Sequence, residues 1–281
     1  MNRLAYIAAV VADPDAVAAV LERHFGLRRT EVASLPGRPA FAVGATGLAL
    51  LAADDPLAAE GRAGVDHLGF VETAGMTAAA AAMLHESTGM NVRVYADSPA
   101  PGPSDGMISG FDHIGVASAD NGAAVAALVD GLGFPLESQQ RDVEIRTAIE
   151  SFTSDKYGLV YHSRPPEVVG GLHVLFVTVG DCELEFLQDL NPAGDLSLDR
   201  GQAGNTRQDR SAVGRYIARR GPGLHHLAFR TRDIDGALAR LAEAGLPLID
   251  RTGRPGSRRA RIGFVHPDAL GGLLVHFVER A

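Results

Sequence analysis

Four segments of the chain share one order of apolar and polar positions: a short apolar strand, then an alanine- and leucine-rich stretch that ends at a glycine. In the fourth segment, Ile234, Leu238 and Leu241 have the i, i+4, i+7 spacing of a helix with one buried face. Alternating strand-like stretches follow the helices, as in Leu172–Val179. The pattern predicts a βαβββ unit that is repeated four times along the chain.

Helix-capping residues and a linker-like stretch indicate that these units are grouped into pairs. Asp13, Asp120 and Asp233 stand where three of the helices should begin, and an aspartate there caps free backbone amides. A stretch rich in proline, glycine and serine lies between the second and third units, which is typical of a linker. We therefore expect an α+β fold of two paired modules, each a curved mixed sheet with flanking helices. The expected boundaries are 1–98, a linker at 99–110, and 111–281 with an insert at 191–223.

Composition excludes several classes of protein. The 281 residues carry a formal net charge of −8, which disfavours general binding to nucleic acid or to an anionic membrane. No stretch approaches the roughly 18 apolar residues of a membrane span. The single cysteine, Cys182, allows no internal disulfide and no cysteine-rich zinc site. We expect a cytoplasmic protein that acts on a small molecule, with no nucleic-acid or membrane partner.

Four polar residues interrupt the apolar strands of the second module at corresponding places. His113 and His226 occupy the same position in the first strands of the third and fourth units, and Glu185 and His276 lie in their last strands. A buried carboxylate is costly unless a cation compensates it. Imidazoles with one carboxylate suit Fe, Mn, Co, Ni or Zn better than Mg or Ca. The sequence thus predicts one divalent transition metal held by these four side chains.

Alternatives remain open at this point. Glu183 has the same strand parity as Glu185, and His225 adjoins His226, so either could replace its neighbour in the site. A single strand histidine is also commonly an ordinary hydrogen-bonded residue. In the first module, aligning the repeats puts Tyr6 where His113 stands and Ala49 where Glu185 stands. Only a histidine at position 67 survives there, so we expect that module to lack a metal site.

Three segments of the second module carry a resemblance to a known family. They are Ala218–Phe229 with the sequence ARRGPGLHHLAF, Ala244–Asp250 with AGLPLID, and Phe264–His276 with FVHPDALGGLLVH. With the repeated unit, they make residues 111–280 resemble the vicinal oxygen chelate superfamily, and methylmalonyl-CoA epimerase in particular. The two-module layout is similar to that of extradiol and 4-hydroxyphenylpyruvate dioxygenases.

The resemblance implies a metal-dependent enzyme. Its ligand positions fall on His113, Glu185, His226 and His276, although the family usually has a glutamate at the last of these. It places a second acid–base group near His173, so we take His173 and His276 as the catalytic candidates. The expected reaction is isomerisation or epimerisation next to a carbonyl through a metal-chelated enediolate. An iron(II) dioxygenase acting on a catechol or a 2-keto acid is the first alternative, and a metal-free binding protein is the second.

The expected partners follow from the same resemblance and from charge. We expect a homodimer and a small substrate. Arginines cluster at 207–220 and at 254–261, which could receive an anionic substrate or could form a solvated surface.

Overall fold

The first sheet is built from the amino-terminal third of the chain. A computed structural model describes residues 3–95, 106–163, 165–190 and 211–280. The sheet has the order β2-β3-β4-β1-β5-β6. Its strands are β1 (Leu4–Val10), β2 (Arg28–Arg29), β3 (Ala40–Val43), β4 (Thr46–Leu51), β5 (Gly64–Val71) and β6 (Val92–Tyr95). The central strands β1 and β5 are antiparallel, and each has a parallel neighbour on its other side.

The second sheet repeats this plan on a larger scale, with the order β14-β15-β16-β13-β7-β12-β11-β8. Its strands are β7 (Ile108–Ala117), β8 (Leu136–Arg146), β11 (Glu167–Val179), β12 (Cys182–Asp189), β13 (Gly223–Thr231), β14 (Arg254–Pro255), β15 (Arg261–Val265) and β16 (Val275–Glu279). Here β7 and β13 are the central antiparallel pair, with β12 and β16 as their parallel neighbours. The two sheets therefore have the same internal symmetry.

The described residues form five α-helices, three of which begin where the sequence predicts. They are α1 (Pro14–Val20), α2 (Ala78–Thr88), α3 (Asn121–Val125), α4 (Ser211–Arg220) and α5 (Ile234–Glu243). A π-helical turn extends α1 over Leu21–Phe25, and another extends α3 over Ala126–Gly131. The side chains of Asp13, Asp120 and Asp233 each accept a backbone N–H of the first turn, as expected of N-caps. Thr77 does the same for α2.

The predicted α+β fold of paired modules with curved mixed sheets is confirmed, but the units are unequal. Within the described residues, the second unit is β5-α2-β6, with one strand after its helix rather than three. The third unit gains a separate ribbon of β9 (Ile149–Ser154) and β10 (Gly158–Ser163). Strand β7 begins inside the predicted linker, of which residues 99–105 lie outside the described residues. Of the predicted insert, residues 191–210 lie outside them too, and α4 follows.

One apolar core joins the two sheets. It contains the buried faces of the helices and side chains from both sheets. Phe25, at the end of the first helical segment, stacks on Phe277 of β16 with ring centroids 5.6 Å apart. The first unit therefore packs against the last one. None of the described helices is long and apolar enough to cross a membrane.

Candidate metal centre

Register places the four predicted ligands on adjacent strands of the second sheet. His113 of β7 pairs with Ala228 of β13, which pairs with His276 of β16. Glu185 of β12 pairs with Gly115, which also faces His226. A Cβ atom at Gly115 would lie 2.0 Å from the His226 ring, so only glycine leaves room for that imidazole.

The donor atoms of this cluster converge. His113 Nε2 lies 3.2 Å from Glu185 Oε2, and His226 Nε2 lies 3.4 Å from the same oxygen. The two Nε2 atoms are 3.5 Å apart. His276 completes a set of three imidazoles whose ligand atoms all lie within 4.8 Å of one another. All four side chains are buried.

Two features of the cluster fit a transition metal. Ligand atoms about 2.0–2.2 Å from one ion stand roughly 3 to 3.6 Å apart, which is the spacing between Glu185 Oε2 and the two Nε2 atoms. In addition, both ring nitrogens of His276 are buried and lack a hydrogen-bond partner among the described residues. Buried polar atoms seldom stay unpaired in a folded protein, so His276 also fits a site that receives an ion.

The pKa shifts of the cluster residues show a charge distribution that suits a bound cation. Burial alone would lower the pKa of His113, but the charge of Glu185 and hydrogen bonds to Asp112 and Glu185 raise it to about 9. Burial would raise the pKa of Glu185, yet His113 and His226 hold it well below its usual range. Burial and the neighbouring His226 and His113 hold the pKa of His276 well below its usual range. A carboxylate thus stays ionised in a buried site beside a neutral imidazole.

A cavity of about 250 Å³ opens onto the cluster. Its walls are mainly apolar, with Phe176, Val213, Ile262 and Phe264 among the lining residues. Val213 belongs to α4, so the helix of the predicted insert closes one side of the cavity. A substrate bound here would contact the cluster on one side and apolar surface on the others.

His173 does not reach this cavity. Alternate residues of a strand point to opposite faces, and Leu172 and Phe176 of β11 point into the cavity. His173 therefore points to the opposite face, where its cross-strand partner is Gln188. Asn121 of α3 donates to the backbone oxygen of His173. The sequence analysis expected His173 to be an acid–base group beside the metal, but the structure places it away from the cluster.

The two alternative ligands have other partners. Glu183 Oε2 accepts from Arg258 Nη2 at 2.5 Å. His225 lines the cavity, but its Nδ1 atom lies 3.0 Å from His226 Nδ1, behind the donor atoms of the cluster. Neither residue replaces its neighbour in the cluster.

Arginines near the site are already paired. Of the two that line the cavity, Arg254 binds Asp250 and Arg280 binds Asp112. Arg261 contacts Asp235 and Glu279. The predicted anion-binding role of the 254–261 cluster therefore competes with existing ion pairs, and residues 207 and 210 of the other cluster lie outside the described residues.

Sequence reasoning missed Asp112. Its carboxylate is buried and binds His113 Nδ1 at 2.8 Å. Arg280, 168 positions along the chain, donates to both of its oxygens. The dipeptide Asp-His, which occurs at 66–67 and again at 112–113, was the signal that could have drawn attention to it.

Paired βαβββ units whose central strands carry a convergent His/Glu cluster define a half-barrel module with a candidate metal centre. A family model described as Glyoxalase/Bleomycin resistance protein/Dioxygenase superfamily matches residues 112–264, more than half of the chain. The chain belongs to this superfamily.

Individual relatives are more distant. Over 177 residues, 62% of this chain and 99% of the relative, it is 24% identical to an ethylmalonyl-CoA/methylmalonyl-CoA epimerase of Cereibacter sphaeroides. It is 26% identical over 129 residues, 46% of this chain and 80% of the relative, to an uncharacterized Bacillus subtilis protein, YqjC. A solved variant of 4-hydroxymandelate synthase from Streptomyces coelicolor matches with a TM-score of 0.58 and 15% identity. That match covers 99% of this chain and 92% of the synthase, so it shows the fold along the chain.

Proposed function

We propose that this chain is a divalent-metal-dependent enzyme that moves a proton at a carbon next to a carbonyl, as an isomerase or epimerase of a small acid or acyl thioester. The observation that carries the proposal is the state of His276. It is a buried imidazole at the cavity wall whose two nitrogens lack partners among the described residues. The superfamily and the epimerase relative supply the reaction class.

The ion would be held by His113, His226 and Glu185, whose donor atoms are 3.2 to 3.5 Å apart. His276 lies beside them and in this proposal does not bind the ion, because a ring nitrogen that binds the ion has no lone pair left to accept a proton. A bound divalent ion supplies Lewis acidity, which stabilises the negative charge that develops on a carbonyl oxygen when the neighbouring carbon loses a proton. Two imidazoles and a carboxylate leave the choice among Fe, Mn, Co, Ni and Zn open.

His276 is the group best placed to take that proton. Its ring lines the cavity, and neither of its nitrogens has a hydrogen-bond partner among the described residues, so the nitrogen without hydrogen is free to accept a proton. Phe264 packs against it, with ring centroids 4.4 Å apart, and helps to fix the orientation of the ring. The apolar walls restrict water around the reacting carbon, which strengthens electrostatic interactions inside the cavity.

A dioxygenase is the second candidate, and a different observation favours it. His113, His226 and Glu185 form a set of two histidines and one carboxylate, which is the ligand set of non-haem iron(II) oxygenases. The substrate class in that case is a catechol or a 2-keto acid, and consumption of molecular oxygen distinguishes it from the isomerase.

The test is proton exchange in D₂O. Protein loaded separately with Co²⁺, Zn²⁺ and Fe²⁺ is mixed with methylmalonyl-CoA, ethylmalonyl-CoA and a set of 2-keto acids. Deuterium at the carbon next to the carbonyl, which is C2 of the acyl thioesters and C3 of the keto acids, is followed by mass spectrometry. We expect metal-dependent exchange in wild type, and a loss of at least about 100-fold in His276→Gln. The matched control is His67→Gln in the first module, which we expect to exchange at the wild-type rate.

Other outcomes separate the alternatives. Substrate-dependent oxygen uptake with Fe²⁺ and no exchange favours the dioxygenase. Exchange that is equally fast in His276→Gln contradicts the assigned proton acceptor. Absence of bound metal in protein purified without chelator and then dialysed against each ion leaves the metal-free binding protein.

A further inference from the structure

Each of the two closest imidazoles of the cluster has a different partner behind it. His113 binds Asp112 through Nδ1, and His226 approaches His225 through Nδ1. In both cases the Nε2 atom is the one that faces the cluster. A partner on one ring nitrogen fixes both the tautomer and the ring orientation, so the other nitrogen is presented to the ion.

The partner of His113 is an anion held from three sides. Arg280 donates to Asp112 through Nε at 2.8 Å and through Nη2 at 2.5 Å. Arg258 and Arg230 approach the same carboxylate at 3.8 and 3.7 Å. The guanidinium of Arg280 pairs with both oxygens of Asp112, which is the geometry of an ionised carboxylate. The carboxylate can only accept, so His113 Nδ1 is the donor.

The partner of His226 is another imidazole, since His225 Nδ1 lies 3.0 Å from His226 Nδ1. The ring of Tyr216, on α4, meets His225 edge-on with centroids 4.6 Å apart, and the Tyr216 hydroxyl donates to the backbone oxygen of Leu224. The orientation of His225 therefore depends on the helix that closes the cavity.

We infer that Asp112 and His225 are positioning residues of the metal centre, which hold the Nε2 atoms of His113 and His226 toward the ion. This inference rests on the proposed metal-dependent function. The negative charge makes Asp112 the stronger of the two partners, because hydrogen bonds to an ionised acceptor are shorter and stronger than neutral ones.

The first module supplies an internal control for this inference. Asp66 binds His67 Nδ1 at 2.6 Å, which is the same neighbour contact as that between Asp112 and His113. There the histidine's other nitrogen, Nε2, lies 3.1 Å from the Tyr6 hydroxyl rather than facing a donor cluster. A change at Asp66 disturbs an equivalent pair without touching the metal centre.

Cobalt(II) binding tests the proposal without a substrate. The dissociation constant and the visible absorption spectrum of bound Co²⁺ are measured for wild type, Asp112→Ala, Asp112→Asn and Asp66→Ala, with thermal melting as the check on folding. We expect Asp112→Ala to weaken Co²⁺ binding by roughly 10- to 100-fold and to shift the absorption bands. Asp112→Asn should recover part of the affinity, because the amide oxygen still accepts from Nδ1. Asp66→Ala should bind Co²⁺ as wild type does.

If Asp112→Ala does not fold, His225→Phe and Arg280→Gln serve as the second variants. We expect a smaller loss of affinity, about 3- to 10-fold, for each, because each weakens one support of a ring that stays in place. Binding within twofold of wild type and an unchanged spectrum in Asp112→Ala, or in both second variants, would overturn the inference. Wild-type protein that binds no Co²⁺ would instead overturn the proposed function on which it rests.

Discussion

The two sheets place different chemistry at the same positions. In the second sheet, β7, β13 and β16 bring His113, Ala228 and His276 into one row. In the first sheet, β1, β5 and β6 bring three other residues into the equivalent row: Tyr6, Gly69 and Arg93. By the same registers, Ala49 corresponds to Glu185 and His67 to His226.

The first module fills the space that the second leaves open. A Cβ atom at Gly69 would lie 2.1 Å from the Tyr6 ring, so the glycine admits a phenol here. The hydroxyl of that phenol lies 3.1 Å from His67 Nε2, and Val32 and Leu35 pack into the same cluster as Tyr6. The second module has a cavity of about 250 Å³ on the corresponding face. One fold thus supports either a packed polar pair or an open donor cluster, and the two differ at three of the four corresponding positions, because the histidine is present in both.

The largest expected effect separates the two histidines at corresponding positions. His226→Ala should lower the affinity for Co²⁺ or Zn²⁺ by more than about 100-fold, because it removes a ligand. His67→Ala should leave the metal content unchanged and lower the free energy of unfolding by about 2 to 4 kcal/mol, since it empties a buried, hydrogen-bonded site. Metal analysis after dialysis and thermal melting measure both. Equal metal loss in the two variants would contradict the claim that only the second module holds the metal.

Glu185→Gln comes next, because it keeps the shape of the site and removes its charge. We expect metal affinity to fall by roughly 10- to 100-fold. The pKa of His113 should fall from about 9, because the charge of Glu185 is the main influence that opposes burial. Isothermal titration and NMR titration of the His113 ring in metal-free protein check the two effects. An unchanged affinity would show that Glu185 is not a ligand.

Tyr6→Phe probes the packed module with a smaller effect. Loss of the hydroxyl leaves His67 Nε2 buried and unpaired, which should lower the free energy of unfolding by about 1 to 3 kcal/mol. The melting temperature should fall by a few degrees, and metal stoichiometry should stay as in wild type. A melting temperature equal to that of wild type would mean that the contact contributes nothing to stability.

Low pH should lower the free energy of unfolding through the protonation of His67 in the first module. Burial holds the pKa of His67 below its usual value of 6.5, despite the hydrogen bond to Asp66. Below pH 6.5 this histidine is protonated in the unfolded chain but stays neutral in the folded one. The free energy of unfolding therefore decreases as the pH is lowered, by at most about 1.4 kcal/mol per pH unit from this residue. Between pH 7.5 and 5.5, the melting temperature of wild type should therefore fall further than that of His67→Gln. Parallel curves would contradict this origin.

Much of this contrast could be read from the sequence. The repeat alignment put Tyr6 and Ala49 at the positions of His113 and Glu185, and the strand registers agree. Position in the repeat was sufficient because equivalent units pair in the same register. The sequence did not show to which face of the sheet His173 points. That face depends on the position of His173 relative to Phe176 in the long strand β11, whose inward side only the structure defines.

Long-range partners were also beyond the sequence. The contact between Arg280 and Asp112 joins residues 168 positions apart, and their charges alone did not select them from the other arginines and aspartates. The shortened second unit had no clear signal either, because few alternating residues follow α2. Arg93, which takes the place of His276 in the first module, could be aligned only once β5 and β6 were paired.

The most direct test of the central claim is a crystal structure of the full chain equilibrated with Co²⁺ or Zn²⁺, with anomalous scattering measured at the metal edge. The account predicts one anomalous peak per chain, bonded to Nε2 of His113, Nε2 of His226 and the carboxylate of Glu185, and none beside Tyr6 and His67. An ion held elsewhere, or a cluster without a peak at saturating metal, would contradict it.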